Sequence, residues 1–200
     1  PNLTNAKSVA ITTLLSAAGI SYMVARQLSD ESLYTDHLVL AGIASLADVI
    51  PQRGLARALS YHALQLLSHV NLPGIAALMA QAGLKQGKKY TSYDIGYLIA
   101  PRINAAGRMG DPLVALRLLC TTNPAKAREY AQSLELLNRK RQDLLKEMLP
   151  IAYDLAQEQK GKRFRCITSP LFNEGIIGLL AGRLTRELQV PVLVGTEHNG

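Results

Sequence analysis

Two arginines and an asparagine, set among small residues, make the stretch with the most evident chemistry: Pro101-Arg102-Ile103-Asn104-Ala105-Ala106-Gly107-Arg108-Met109. A guanidinium is planar, permanently charged and forked, and so matches phosphate oxygens two at a time. Asn104 both donates and accepts. Alanine and glycine let a ligand approach the main chain closely. The stretch reads as a holder for a phosphodiester. It reads equally well as a capped helix-to-loop junction with surface arginines. The apolar run Ile95 to Ala100 precedes it, and Pro101 is expected to stop that helix, because the residue before a proline is pushed out of the α region.

Two further sites follow from residue type and place. Leu38 to Ile43 is a short continuous apolar run, suited to a buried parallel strand. Asp48 lies just past it, and ligands of open α/β sheets gather beyond the carboxyl ends of strands. A carboxylate there suits a hard cation such as Mg²⁺ or Mn²⁺; it also suits a cap on a turn or on the next helix. Asn173, Glu174 and Gly175 open an apolar helix directly after a loop, where free amides form an anion site.

The elements that must position these groups can be read in order. Asn5 to Leu28 has helical spacing, interrupted at Gly19. Arg53 to Val70 is a helix with Leu55, Leu59, Ala63, Leu66 and Leu67 on one face. Its His62 and His69 have no carboxylate at helical spacing and are not expected to bind metal. Pro73 to Leu84 is a helix with proline in its first turn. Lys85, Lys88 and Lys89 occupy a glycine-containing loop and read as a solvated charge run more than as phosphate contacts. Thr91 or Ser92 caps the helix entering the arginine stretch. Pro112 to Cys120 is a short helix. Asn123-Pro124 opens a long one, with Pro150 expected to kink it or start a new segment. Asn138, Arg139, Lys140, Arg141 and Gln142 form a polar cluster midway, where Arg141 breaks the apolar seam. Phe164–Thr168, Gly175–Leu188 and Pro191–Val194 then read as strand, helix and strand, a parallel βαβ unit.

Composition bounds the partner. The chain has 200 residues, 48% hydrophobic, a net charge of +7 and a pI near 9.6, which favour a polyanionic partner. With no tryptophan, two phenylalanines and eight tyrosines, phosphate tracking ranks above base stacking. No apolar run reaches the eighteen or so residues of a membrane helix; the best, Leu38 to Ile50, contains Asp48. Cys120 and Cys166, without a CxxC or a histidine cluster, are expected as buried free thiols in a reducing cytosol. The chain opens on Pro1 and is expected to be a fragment of a longer protein.

Pro101–Met109 resembles a signature of the RecJ exonucleases, within the DHH phosphoesterase superfamily. Ala41-Gly42-Ile43-Ala44-Ser45-Leu46-Ala47-Asp48-Val49-Ile50-Pro51 is similar to that family's late acidic motif. Asn173-Glu174-Gly175-Ile176-Ile177-Gly178-Leu179-Leu180-Ala181-Gly182-Arg183-Leu184 is similar to the opening of its DHHA1-type domain. The resemblance implies an α/β fold: the C-terminal half of a DHH-type parallel-sheet domain (1–121), a linking helix (122–160) and the start of a DHHA1-type domain (161–200).

It further implies a 5′-to-3′ exonuclease acting on single-stranded DNA in repair and recombination, located in the cytoplasm. Two Mn²⁺ or Mg²⁺ ions would be ligated mostly by residues absent here, with Asp48 as the metal ligand present. Arg102, Asn104 and Arg108 would be catalytic. Arg102, Arg108, Asn173, Glu174 and Gly175 would contact nucleic acid, and a single-strand-binding protein or helicase would be the protein partner. Asp36-His37 is not the family's DHH, which lies upstream; the pair reads as the start of a strand. The family often has histidine and proline where this chain has Asn173 and Glu174, which argues against catalysis by that loop. Lacking most metal ligands, the chain itself is expected to be inactive. A non-catalytic DNA-binding scaffold and a nano-RNase or cyclic-dinucleotide phosphodiesterase of the same superfamily are the alternatives.

Overall fold

The computed structural model describes residues 15–69, 71–85 and 87–197. They fall into two compact units: the first holds the residues up to 101 together with 117–131, the second 102–116 and the residues from 132 on. The class is α/β.

In the first unit, Ser16 rather than a continuous helix marks the beginning of α1 (Ala17–Leu28). Its Oγ accepts from the Gly19 amide at 3.1 Å, satisfying one of the orphan donors of the first turn. The part of the expected helix before Leu15 lies outside the described residues. After a 3₁₀ turn, Glu31–Leu33, comes α2 (Tyr34–Ala47).

Here the expected strand over 38–43 is overturned: those residues are helical, and Asp36 and His37 sit in the first turn of a helix. A six-residue apolar run does not distinguish a strand from a buried helix, and Ala41, Gly42, Ala44 and Ser45 are poor strand formers. Their small side chains serve close helix packing. A Cβ on Gly42 would collide with the Ala63 side chain and the Leu59 carbonyl of α3 (Gly54–Leu66). α4 (Pro73–Gln81) uses the same device, with Gly74 against the Leu118 carbonyl.

α2 and α4 end alike, in Schellman turns. In α4 the Leu84 and Gly83 amides bond back to Met79 and Ala80, with Gly83 at φ 71°. In α2 the Ile50 and Val49 amides bond to Ser45 and Leu46. The left-handed position is filled by Val49 at φ 54°, a β-branched residue where glycine is the norm.

Thr91 and Asp94 form a reciprocal capping box. The Asp94 carboxylate accepts from the Thr91 amide at 2.8 Å and from its hydroxyl at 3.0 Å, and the Asp94 amide reaches Thr91 Oγ1 at 3.4 Å. The helix then widens into a π-helical turn, Asp94–Ile99, and continues as α5 (Ala100–Met109). Pro101 therefore does not stop the helix. Proline has no N–H and its ring presses on the carbonyl four residues back. The wider turn removes both conflicts, and the Ala100 amide bonds to the Ile95 carbonyl, five residues back. The arginine stretch, expected as a loop, is helical throughout.

α6 (Leu113–Cys120) and α7 (Pro124–Gln157) follow. Asn123 caps α7 by accepting from the Ala125 and Lys126 amides at 2.8 and 3.2 Å. The helix runs on through Pro150.

In the second unit, β1 (Arg165–Ser169) and β2 (Val192–Thr196) pair in parallel, Arg165 opposite Val192 and Ser169 opposite Thr196, around α8 (Glu174–Leu188). Ala152, Ala156, Ile167, Phe172, Ile176, Leu180, Leu184 and Val192 form its core. The Arg165 amide points to β2, bonding Pro191 O at 3.0 Å. The next residue, Cys166, gives its amide and carbonyl to the Gln159 side chain at 3.1 and 2.6 Å. Cys120 and Cys166 are unbonded as expected, but both are exposed, not buried; the alternation of β1 puts Cys166 on its outer face.

Candidate nucleic-acid interface

A helix separates Arg102 from Arg108 by six residues, or about 240° around the axis. The two arginines therefore do not form one clamp. Arg102 turns toward Glu135 of α7, its Nε donating to Oε2 at 2.7 Å with both side chains 13% exposed. Arg139, one turn along α7, grips the other carboxylate oxygen at 2.9 Å. Arg102 is thus held by a carboxylate within the fold. Glu135 was missed in the sequence, although its spacing from Arg139 is a helical ion-pair signature.

Asn104 and Arg108 are four apart on the other face, and both are exposed. Arg108 Nη1 donates to the Gly175 carbonyl at 3.2 Å. Gly175 sits so close to the Arg108 carbonyl oxygen that a Cβ would collide with it. This approach is what requires glycine there. Arg108, Pro170, Phe172, Asn173, Glu174, Gly175, Thr196 and Glu197 line a cleft of about 360 Å³. Three sequence-flagged positions, Asn173, Glu174 and Gly175, thereby meet Arg108. The opening amides of α8 are largely used internally: Gly175 donates to Asn173 Oδ1 at 2.9 Å and Ile176 to Asn173 O at 3.0 Å.

A second cation, Arg141 on α7, feels the charge of Arg108. The Arg141 Nη2 donates to Oδ1 of the buried Asn138 at 3.0 Å, and its buried Nε has no partner. Burial first, and the positive charge of Arg108 second, disfavour the charged form of Arg141 and lower its pKa below the ordinary guanidinium value. Two like charges, one partly desolvated with an unused donor, are compensated when an anion with several acceptor oxygens joins them. The sequence carried a trace of this in the break that Arg141 makes in the apolar seam.

Asp48 belongs to the first unit and is exposed as the C-cap of α2. A carboxylate at that end faces the negative pole of the helix, which a cation would relieve. The strained Val49 beside it fixes the turn that presents it. Among the described residues no three acidic, histidine or cysteine side chains come together as a metal-binding group.

No family model matches the chain. It is 32% identical over 167 residues to the single-stranded-DNA-specific exonuclease RecJ of Haemophilus influenzae, matching 80% of this chain and 29% of that protein. It is 27% identical over 181 residues to the protein of that name from Bacillus subtilis, 90% of this chain and 23% of that one. The chain thus spans less than a third of the length of these curated relatives. The crystal structure of RecJ in complex with Mn²⁺ from Thermus thermophilus superposes with a TM-score of 0.73 at 30% identity, covering 81% of this chain and 24% of that one. A structure of exonuclease RecJ bound to manganese gives 0.70 at 29%, covering 81% and 40%. With sequence and backbone each agreeing over about four-fifths of its length, the chain belongs to the RecJ family, of whose members it matches a segment.

Proposed function

We propose that this chain is the phosphate-holding part of a divalent-metal-dependent exonuclease that removes nucleotides from the 5′ end of single-stranded DNA in repair and recombination. The observation that carries the reading is the like-charged pair Arg108–Arg141: Arg141 keeps a buried donor without a partner, and Arg108 lines the Asn173–Gly175 cleft. Asn104, on the Arg108 face, adds a donor and an acceptor. Arg102 contributes by fixing α5 on α7 through Glu135. The curated relatives are named as exonucleases specific for single-stranded DNA, and solved relatives hold Mn²⁺ or Mg²⁺. Asp48 is the one residue here assigned to such an ion. A single exposed carboxylate does not make a two-metal site, so the other ligands belong to residues outside this chain and the chemical step is not built from it. A cytoplasmic location accords with two exposed, unbonded thiols, and a single-strand-binding protein or helicase is the proposed protein partner.

The test is binding of a fluorescent single strand at several salt concentrations. Arg108→Ala and Arg141→Ala are each expected to weaken binding alike for all sequences and to flatten the log-affinity against log-salt slope by about 0.7. Unchanged slopes in both would overturn the phosphate reading. In the complete protein, binding without any 5′-directed release of nucleotides in Mn²⁺ would favour a DNA-binding scaffold.

A further inference from the structure

From Leu84 to Ala100 the chain carries Lys85, Lys88, Lys89, Tyr90, Tyr93 and Tyr97, and its one acid is Asp94. The fold sorts these residues. Tyr90 is buried, its hydroxyl donating to the Lys85 carbonyl at 3.1 Å, and this ties the lysine loop down. Asp94 is buried in the capping box and pairs with Lys88 at 2.8 Å. Lys85 and Lys89 stay exposed. So do Tyr93 and Tyr97, 61% and 70% exposed, stacked on each other with centroids 4.8 Å apart and planes 21° from parallel. Between them Gly96 adds no side chain, and a Cβ there would meet nothing within 4 Å. Within this stretch the exposed groups are therefore two stacked rings and cations, with no exposed carboxylate.

We propose that Tyr93 and Tyr97 form a stacking platform for the bases of single-stranded nucleic acid, with Lys85 and Lys89 holding the flanking phosphates. The proposal rests on the nucleic-acid reading above and deepens it, adding a base-binding subsite in the first unit to the phosphate site of the second. The low aromatic content put stacking behind phosphate tracking; placement reverses that ranking, because two rings suffice when both lie open and parallel. A single strand presents unpaired base faces to such rings regardless of sequence, and each stacked base is worth roughly tenfold or more in affinity. A duplex hides those faces in its own stack.

The experiment compares a thymidine oligonucleotide with one of equal length whose central sugars lack bases, so that the phosphates are the same. Tyr93→Ala and Tyr97→Ala, alone and combined, are measured at fixed salt, with melting curves as a fold control; Tyr→Phe at both positions retains the rings. The double alanine variant is expected to lose about tenfold or more on the thymidine strand, to lose nothing on the abasic strand, and to keep its salt slope, with phenylalanine restoring affinity. The chain has no tryptophan, so its tyrosine emission should be quenched by the thymidine strand and less so in the variant. Equal loss on both strands, or no loss on either, overturns the platform while leaving the nucleic-acid reading intact. If the unsubstituted chain binds neither strand at low salt, both fall together.

Discussion

Val49 shows what one residue can carry. Its φ of 54° costs a β-branched side chain on the order of 1 kcal/mol or more, whereas Gly83 adopts the same turn without that penalty. Val49→Gly is expected to raise stability by about 1 kcal/mol in denaturant unfolding, since the side chain is 84% exposed and gives up little packing. If the strain serves to present Asp48, the same substitution should lower metal-dependent turnover of the complete protein. Arg102→Ala makes the contrasting case. It leaves the largely buried Glu135 paired with the exposed Arg139, a pairing of small worth. A loss of about 2 kcal/mol with an unchanged salt slope is expected; a slope as flattened as that of Arg108→Ala would make Arg102 a DNA contact. Residue types were legible in the sequence, and Arg108 with Asn173, Glu174 and Gly175 does share a cleft. Arg102's partner was not, because Glu135 lies 33 positions away and only the helical turn brings the two together.

Elements failed to read where a rule of local chemistry met a compensating geometry. Pro101 breaks an α-helix but not one that has already widened to a π turn. The Leu38–Ile43 run was apolar enough for either state, and the small residues that decide it act through packing on α3. Where end signals were explicit, at Asn123, Pro73 and the βαβ unit, sequence and structure agree. The capping box carries a pH prediction. Burial would raise the pKa of Asp94, but the bonds from Lys88 and Thr91 outweigh it and hold the value below the ordinary 3.8. A depressed folded value means that its stabilisation is complete above the unfolded pKa and is lost as pH falls through the folded one. Asp94→Asn should therefore cost about 2 kcal/mol at pH 7 and progressively less below pH ~4. Chemical denaturation at several pH values checks this; a pH-independent difference would mean that the carboxylate's charge contributes nothing.

For the molecule as a whole, chemistry and binding separate. With one exposed carboxylate assigned to metal, the purified chain is expected to release no nucleotides in Mn²⁺ or Mg²⁺ while still retaining single strands at low salt; robust cleavage would mean a cation site that the described residues do not assemble. A different kind of consequence lies in Gln159. Its side-chain amide bonds both polar groups of Cys166 on the side of β1 away from β2, imitating a neighbouring strand for the length of one residue. A two-stranded sheet has two edges, each a template for stray pairing. One is capped at Cys166 by this counterfeit partner, and Gln159→Ala should show its loss as increased light scattering on storage with little change in melting.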